Sequence, residues 1–385
     1  MTAKTRHYLD YNATAPVRPA VIDAVTRALG GLGNASSVHA HGRAMHKAVE
    51  SARDDIAAFV GAPRTGLIFT SGGTEAVHLA LNGMSGPGGS GPQVNRIITS
   101  AIEHAAVLEN AASCDAPQST IPVLRSGVVD LAVLEAMLQE SASKDETPLV
   151  GVMLANNETG VIQPVREIAS LVHGHGGFLF VDAAQAVGRI EVDFASLNAD
   201  LMSFTAHKFG GPLGVGALAI RPGLPIAPVM RGGGQESMRR SGTTNAPAIV
   251  GFAVACREAQ GDIDHASEVA ALRDRAEAGV IASGGVIWGS DAPRLPGVLC
   301  YSAPGFSSET QLMALDLAGV SVSSGAACSS GKVRPSHVLS AMGASNNEAN
   351  EAIRVSLGWA STDVDITSFL AAWRAAYDRV KARAA

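Results

Sequence analysis

Six short runs in the first 220 residues are apolar almost throughout and alternate with helix-like stretches: Leu67–Thr70, Arg96–Ser100, Leu149–Leu154, Phe178–Val181, Leu201–Thr205 and Val215–Ile220. A strand with no polar alternation has both faces buried, and sheets covered on both faces are the mostly parallel kind, overlaid by their crossover helices. The pattern therefore predicts an α/β fold. Ser85–Pro92, SGPGGSGP, cannot hold a helix and predicts a surface loop too short to link domains. Beyond about Cys256 the pattern changes. A charged, Ala-rich helix is expected to about Ser283, then short strands near Val286, Val298, Val320 and Val355, with helices at Ser308–Leu317, Pro335–Met342 and Asp363–Lys381. This predicts a second, smaller α/β unit.

Composition narrows the function. The chain has 385 residues, 46% of them hydrophobic, which suffices for two cores and excludes intrinsic disorder. Its 29 basic and 35 acidic side chains include no dense Lys/Arg run, so nucleic acid is not an expected partner. Met1–Leu9 lacks a signal-peptide core, and no apolar run approaches the ~20 residues needed to cross a bilayer. No membrane association and a cytoplasmic location are expected. The four cysteines, Cys114, Cys256, Cys300 and Cys328, form no CxxC pair, so reduced thiols are expected rather than a zinc site or a disulfide framework.

Several residues fall where α/β sheets bind ligands, at the carboxyl ends of strands. The segment Gly177–Gln185, GFLFVDAAQ, ends a strand at Asp182, whose carboxylate could pair with a protonated ring nitrogen. Taken alone, Asp182 reads first as a helix cap. Lys208 shifts that balance, being one of only six lysines and the sole one between Lys144 and Lys332. It stands between the apolar Leu201–Thr205 and the glycine-rich FGGPLGVG. Partial burial there would lower its pKa and free the amine to form a Schiff base. An Asp and a Lys at two strand ends are what a pyridoxal 5'-phosphate site requires.

In Ile68–Ala76, IFTSGGTEA, a strand passes through Gly72, Gly73 and Thr74 into a helix, a candidate phosphate cradle; no Lys follows Gly73, so it is not a nucleotide loop. Ordinary capping is the plainer account of that segment alone. Glu103-His104 follows another strand, where an imidazole could stack on a flat cofactor and relay protons. The other histidines suggest no metal site. Cys328 sits among small residues in SSGAACSSG (Ser323–Gly331), with Lys332 and Arg334 nearby to favour its thiolate, whereas Cys256 and Cys300 read as buried and inert. Arg354, in IRVSLGW, could clamp a carboxylate bidentately, or be a surface residue.

Together these segments resemble the cysteine desulfurases, the class V aminotransferase-like branch of fold-type I pyridoxal-phosphate enzymes. The likeness runs through YLDYNATAPV (Tyr8–Val17), NASSVHAHGR (Asn34–Arg43), FTSGGTEA, EHAAVL (Glu103–Leu108), NNETGVIQPV (Asn156–Val165), VDAAQ, HKFGGP, GGGQESMRRSGT (Gly232–Thr243), SSGAACSSG and RVSLGW. The loop around Cys328 resembles the housekeeping and nitrogen-fixation branch. The resemblance implies a large domain, residues 15–255, built on a mostly parallel seven-stranded sheet, and a small one formed by 1–14 and 256–385. It implies that Lys208 carries the cofactor, Asp182 holds the pyridine nitrogen, His104 stacks on the ring and Gln185 meets the ring hydroxyl. Gly73, Thr74, Thr205 and His207 are implied around the phosphate, and Thr243 at the phosphate of the partner in a homodimer. Asn157 and Arg354 are implied to grip the substrate carboxylate. Asn157 is also counted with the cofactor residues.

The implied reaction takes L-cysteine to L-alanine. Lys208 moves the α-proton, and Cys328 receives the sulfur as a persulfide for a sulfur acceptor or iron-sulfur scaffold protein. No intrinsic metal is expected, Cys328 serving at most as a transient iron-sulfur ligand. Two departures stand out: Leu213 replaces a lysine frequent in the family, and the chain stops soon after Lys381, which puts docking to a standard scaffold in question. An aminotransferase or selenocysteine lyase would share the cofactor site without needing Cys328. A non-catalytic sulfur-trafficking protein would need neither Lys208 nor Asp182.

Overall fold

The structure, a computed structural model, describes residues 6–85, 94–324 and 335–384. Cys328, Lys332 and Arg334, with most of the expected loop at 86–92, lie outside the described residues. The strands among the described residues are β1 (His7–Tyr8), β2 (Leu67–Thr70), β3 (Arg96–Ser100), β4 (Gln118–Ile121), β5 (Pro148–Met153), β6 (Phe178–Asp182), β7 (Leu201–Thr205), β8 (Gly216–Ile220), β9 (Val286–Trp288), β10 (Val298–Ser302), β11 (Val320–Ser321) and β12 (Ala352–Ser356).

Seven of them form one sheet in the order β2-β8-β7-β6-β5-β3-β4, and every pairing is parallel except the two made by β8. The exception follows from chain length. Residues 206–215 are too few for a crossover, which takes a dozen or more. Gly210 and Gly214, at φ +91° and +74°, let the chain double back beside β7. Lys208 lies in the 3-10 turn Ala206–Phe209 that begins this reversal. The strand without a sequence signal is β4, QSTI, which borders the sheet and is only partly covered; an edge strand needs no continuous apolar run.

Two hydrophobic cores flank the sheet, one including Ile98, Val150, Val181 and Phe204, the other Ile97, Leu149, Phe180 and Leu201. These alternate along the strands, so successive residues enter opposite cores. A smaller antiparallel sheet, β12-β10-β9, carries its own core, where Tyr301 meets Trp373 edge-on at 5.3 Å between ring centroids. The helix expected from about Cys256 to Ser283 is two helices, Ala246–Asp264 and Ala266–Ile281, broken at His265. The first buries Phe252, Cys256 and Ala259 against the large sheet, and the second buries Ala276 and Val280 in the small core. One continuous helix could not face both.

The amino-terminal segment joins the two parts. β1 pairs in parallel with β11, the Tyr11 amide donates to the Ser356 carbonyl at 3.2 Å, and the Ala15 and Arg18 amides donate to His207 and Gly210 at 2.9 and 3.0 Å. Residues 7–18 thus run from the small sheet to the Lys208 turn.

At the start of β8 the backbone passes so close to the Gly72 loop that a β-carbon on Gly216 would lie 2.7 Å from the Gly72 carbonyl carbon. Backbone cannot swing aside as a side chain can, so Gly216→Ala is expected to cost about 1–3 kcal/mol. The urea unfolding midpoint measures this, and an unchanged midpoint would show that the Gly72 loop yields freely.

Candidate functional site

The carboxyl ends of β2, β3, β5, β6 and β7 open on one side of the sheet, and the residues just beyond them line a cavity of about 150 Å3. Gly73, Thr74, His104, Asn157, Asp182, Gln185, Thr205, His207 and Lys208 all border it. Nine of the ten expected cofactor residues therefore meet at one place. The tenth, Thr243, is exposed and is not among the residues that border this cavity.

Asp182 ends β6 in the middle of the sheet. Its Oδ1 accepts hydrogen bonds from the Ala184 amide at 3.0 Å and the Ser203 hydroxyl at 3.2 Å, so the carboxylate is fixed in place, and it caps a turn rather than a helix. Lys208 Nζ donates to the backbone carbonyls of Asn12, at 2.6 Å, and Ala13, at 3.1 Å. Burial first, then the Arg189 and Arg354 cations, pushes the Lys208 amine down to about 8, against the pull of Asp182 and Asp10. An amine so depressed keeps a far larger unprotonated fraction near neutral pH than an ordinary lysine does, and the free amine is what attacks an aldehyde.

His104 caps the helix Ala105–Ala112, its Nδ1 accepting from the Ala106 amide at 3.0 Å. Burial, with Lys208 and His337 nearby, lowers its pKa although Asp182 opposes this. The neutral ring then carries its proton on Nε2. His207 is pushed down to about 4 by burial and by Lys208 and Arg189, and its Nδ1 lies 3.2 Å from the Thr14 hydroxyl.

The helix Gly73–Ser85 starts at the cavity, bringing the unpaired amides of its first turn to an anion. A β-carbon on Gly72 would meet nothing within 4 Å, so there is open space above the loop. The Thr205 hydroxyl donates to the Val215 carbonyl at 2.9 Å, so in this conformation the residue offers the cavity its methyl group, beside Gly73. Gln185 Nε2 donates to the Asn12 carbonyl at 3.0 Å, while its Oε1 is buried with no hydrogen-bond partner. An orphaned buried oxygen, a carboxylate at a strand end, a depressed lysine and a helix start with open space fit pyridoxal phosphate.

Arg354 lies within β12 and is buried, so it is not a surface residue. Its guanidinium donates to Asp10 Oδ1 at 2.7 Å and to the Asn157 carbonyl at 3.0 Å, leaving Nε buried and unpaired. The segment carrying Cys328 leaves and re-enters the described structure beside this pair. Ser323 exchanges backbone hydrogen bonds with Arg354 at 3.2 and 2.7 Å, and the Ser336 hydroxyl donates to the buried Glu158, next to Asn157, at 2.5 Å. Cys256 and Cys300 are buried and their thiols are pushed far up by burial.

The loop that holds Thr243 is tied to the cradle. Arg240 pairs with Glu75 at 2.7 Å, and Glu75 accepts from the Ser71 amide at 2.8 Å. Glu236 turns inward to accept from Arg53 at 2.9 Å and from the Phe69 amide at 3.0 Å. It does so through three consecutive non-glycine residues with positive φ, Glu236, Ser237 and Met238 at 46°, 55° and 63°. Such backbone is costly and is held here by the buried ion pair.

Two site residues had no sequence signal of their own. Asn12 is 1% exposed and bonds to five groups around the cavity, and Arg189 grips Asn12 from behind. Asn12 stands inside YLDYNATAPV and Arg189 four residues after Gln185, but neither residue type announces chemistry.

The sequence model of the class-V aminotransferase family matches residues 7–369. An IscS-like cysteine desulfurase of Mycobacterium tuberculosis is 39% identical over 94% of this chain and 94% of its own. Among solved structures, a NifS-like protein from Rickettsia africae superposes with a TM-score of 0.88 at 31% identity, over 97% of this chain and 99% of that one. SspA in complex with cysteine superposes with a TM-score of 0.78 at 28% identity, over 92% and 100%.

Glu103, fully buried behind His104, is pushed up to about 8 by burial despite bonds from the Ser100 hydroxyl, at 2.5 Å, and the Met153 amide, at 2.8 Å. Unfolding lets it ionise from about 4.5, so its contribution is whole below that pH and is lost as pH rises towards 8. Glu103→Gln, which mimics the protonated acid, should flatten the fall in stability between pH 4.5 and 8. Urea midpoints across that range measure it, and an unaltered slope would place the fall elsewhere.

Proposed function

We propose, from the premise that this chain belongs to the class V aminotransferase family and to its cysteine desulfurases, that it converts L-cysteine to L-alanine and transfers the sulfur to Cys328 as a persulfide. The observation that carries the reading is the convergence of Asp182, His104 and a depressed Lys208 on one cavity at the carboxyl edge of the sheet.

Pyridoxal phosphate, when bound, supplies an electron sink that acidifies the α-proton of an amino acid. The protein's part is to hold and to move protons. Asp182, through its fixed carboxylate, would hold a proton on the ring nitrogen of the bound cofactor, and His104 would stack on the ring. Gln185 Oε1 would accept from the ring hydroxyl, and Gly73, Thr74, Thr205 and His207 would hold the phosphate. Lys208 would hold the cofactor and, as a free amine, would take the α-proton of the substrate and return one to the product. Arg354 and Asn157 take the substrate carboxylate, Arg354 through its unpaired Nε. The Cys328 thiolate attacks the substrate sulfur. A sulfur-sulfur bond forms as the carbon-sulfur bond breaks, and the electron pair stays with carbon, which takes up a proton to become alanine.

The anchoring of both flanks of the Cys328 segment beside Arg354 and Asn157 supports this assignment. The persulfide then passes to an acceptor, for iron-sulfur or other thio-cofactor assembly. A homodimer in which Thr243 reaches the partner's phosphate belongs to the same proposal, as do the cytoplasm as its place of action and the division into residues 15–255 against 1–14 with 256–385. The helix Ala246–Asp264 crosses that seam. No helix among the described residues is long and apolar enough to cross a membrane.

Lys208→Ala is expected to lose the absorption band near 400 nm of the bound cofactor. Cys328→Ala should keep the band yet form alanine at least about 100-fold more slowly. Trapping the persulfide and mapping it by mass spectrometry should locate it on Cys328. Alanine formed by Cys328→Ala at the normal rate would overturn the assignment of the nucleophile, and a wild-type protein that never forms alanine from cysteine would overturn the function.

A further inference from the structure

Arg189 is a partly buried cation without a counter-ion among the described residues. Its guanidinium donates only to uncharged oxygens: the Asn12 side-chain Oδ1, the Tyr11 carbonyl at 2.9 Å and the Lys208 carbonyl at 3.1 Å. Burial lowers even this guanidinium, to about 10. A desolvated charge with no partner is costly. What it holds is therefore informative.

Asn12 connects nearly everything near the Lys208 amine. Its amide donates to the Ser356 hydroxyl at 2.9 Å, its side-chain Nδ2 donates to the Asn157 carbonyl at 2.8 Å, and its carbonyl receives Gln185 at 3.0 Å and Lys208 Nζ at 2.6 Å. Arg189 thus closes a ring: it grips the Asn12 side chain at one end and the Lys208 main chain at the other, and between them the Asn12 carbonyl receives the Lys208 amine.

We propose that Arg189 is a positioning residue for the reaction: through Asn12 and the Lys208 carbonyl it fixes the seat in which the Lys208 amine waits whenever it is not holding the cofactor. The inference rests on Lys208 being the cofactor lysine. A released lysine must stay close, oriented and unprotonated to act on the α-carbon. The seat supplies place and direction. The unpaired charge disfavours ammonium there. The charges facing Lys208 are Arg189 and Arg354, which oppose its protonation, and Asp182 and Asp10, which favour it; burial and their cationic neighbours keep His104 and His207 low.

The test reads Lys208 itself. The full chain, freed of cofactor, is acetylated with limiting acetic anhydride at a series of pH values, and labelling of Lys208 is followed by mass spectrometry. The wild-type midpoint should lie near 8. Arg189→Gln should raise it by about one unit, and Arg189→Lys, which keeps the charge, should restore most of the shift. Should Arg189→Gln not fold, the near-isosteric Asn12→Asp, which gives the guanidinium a counter-ion, should raise the midpoint likewise. A wild-type midpoint in Arg189→Gln or in Asn12→Asp, or an equal shift in Arg189→Lys and Arg189→Gln, overturns the proposal. Alanine formation by the wild type is measured in parallel. Its absence would refute the proposed function and leave the labelling result standing.

Discussion

Four adjacent pairings of the central sheet are parallel, and β2, antiparallel to β8 as β8 is to β7, points the same way, so the strands that lead to Gly73, His104, Asn157, Asp182 and Lys208 all deliver their next residues to one edge. A parallel sheet leaves its backbone no choice at that edge. Each chain must turn away towards a crossover helix, and the turning residues are freed from the ladder with their side chains close together. The one reversal, at β8, is as important as the parallel strands. It makes the turn after β7 short, and so keeps Lys208 against the sheet instead of carrying it off on a long connection.

Electrostatics at the edge follows from this crowding. Desolvation depresses Lys208, His104 and His207 there while it raises Glu103 and Glu158. Bases lean towards neutrality, and so do acids. Asp182 alone stands at the centre of the site with a carboxylate fixed by an amide and a hydroxyl. The site therefore combines a carboxylate fixed in position with an amine and an imidazole that burial holds towards neutrality, an arrangement suited to moving a proton between carbon and nitrogen.

Much of this was legible in the sequence because it is local. The apolar runs that became β2, β3, β5, β6, β7 and β8 each declare themselves within a few residues, and Asp182 and Lys208 stand out by type and position at strand ends. What escaped is non-local. The edge strand β4 buries too little to show an apolar run, and the break at His265 is dictated by two cores on different sides of one helix-forming stretch. Asn12 and Arg189 are ordinary polar residues until the fold brings them 177 positions together. Thr243 was placed by resemblance alone, and in a single chain nothing draws it to the cavity. The loop geometry around Glu236 shows instead how firmly that segment is tied to the start of the cradle helix.

The path of residues 7–18, from β1 beside β11 to the Lys208 turn, sets an order of events during synthesis. As the chain leaves the ribosome, the strands of the large sheet are all available by Ile220, yet Asn12 cannot be seated until Ser356 has emerged to receive its amide. β1 likewise waits for a partner more than 300 residues downstream. Amino-terminal units ordinarily fold first. Here residues 7–18 must stay unsettled until Ser356 has been made, so the cofactor pocket can be completed only after the strands of the smaller sheet have emerged.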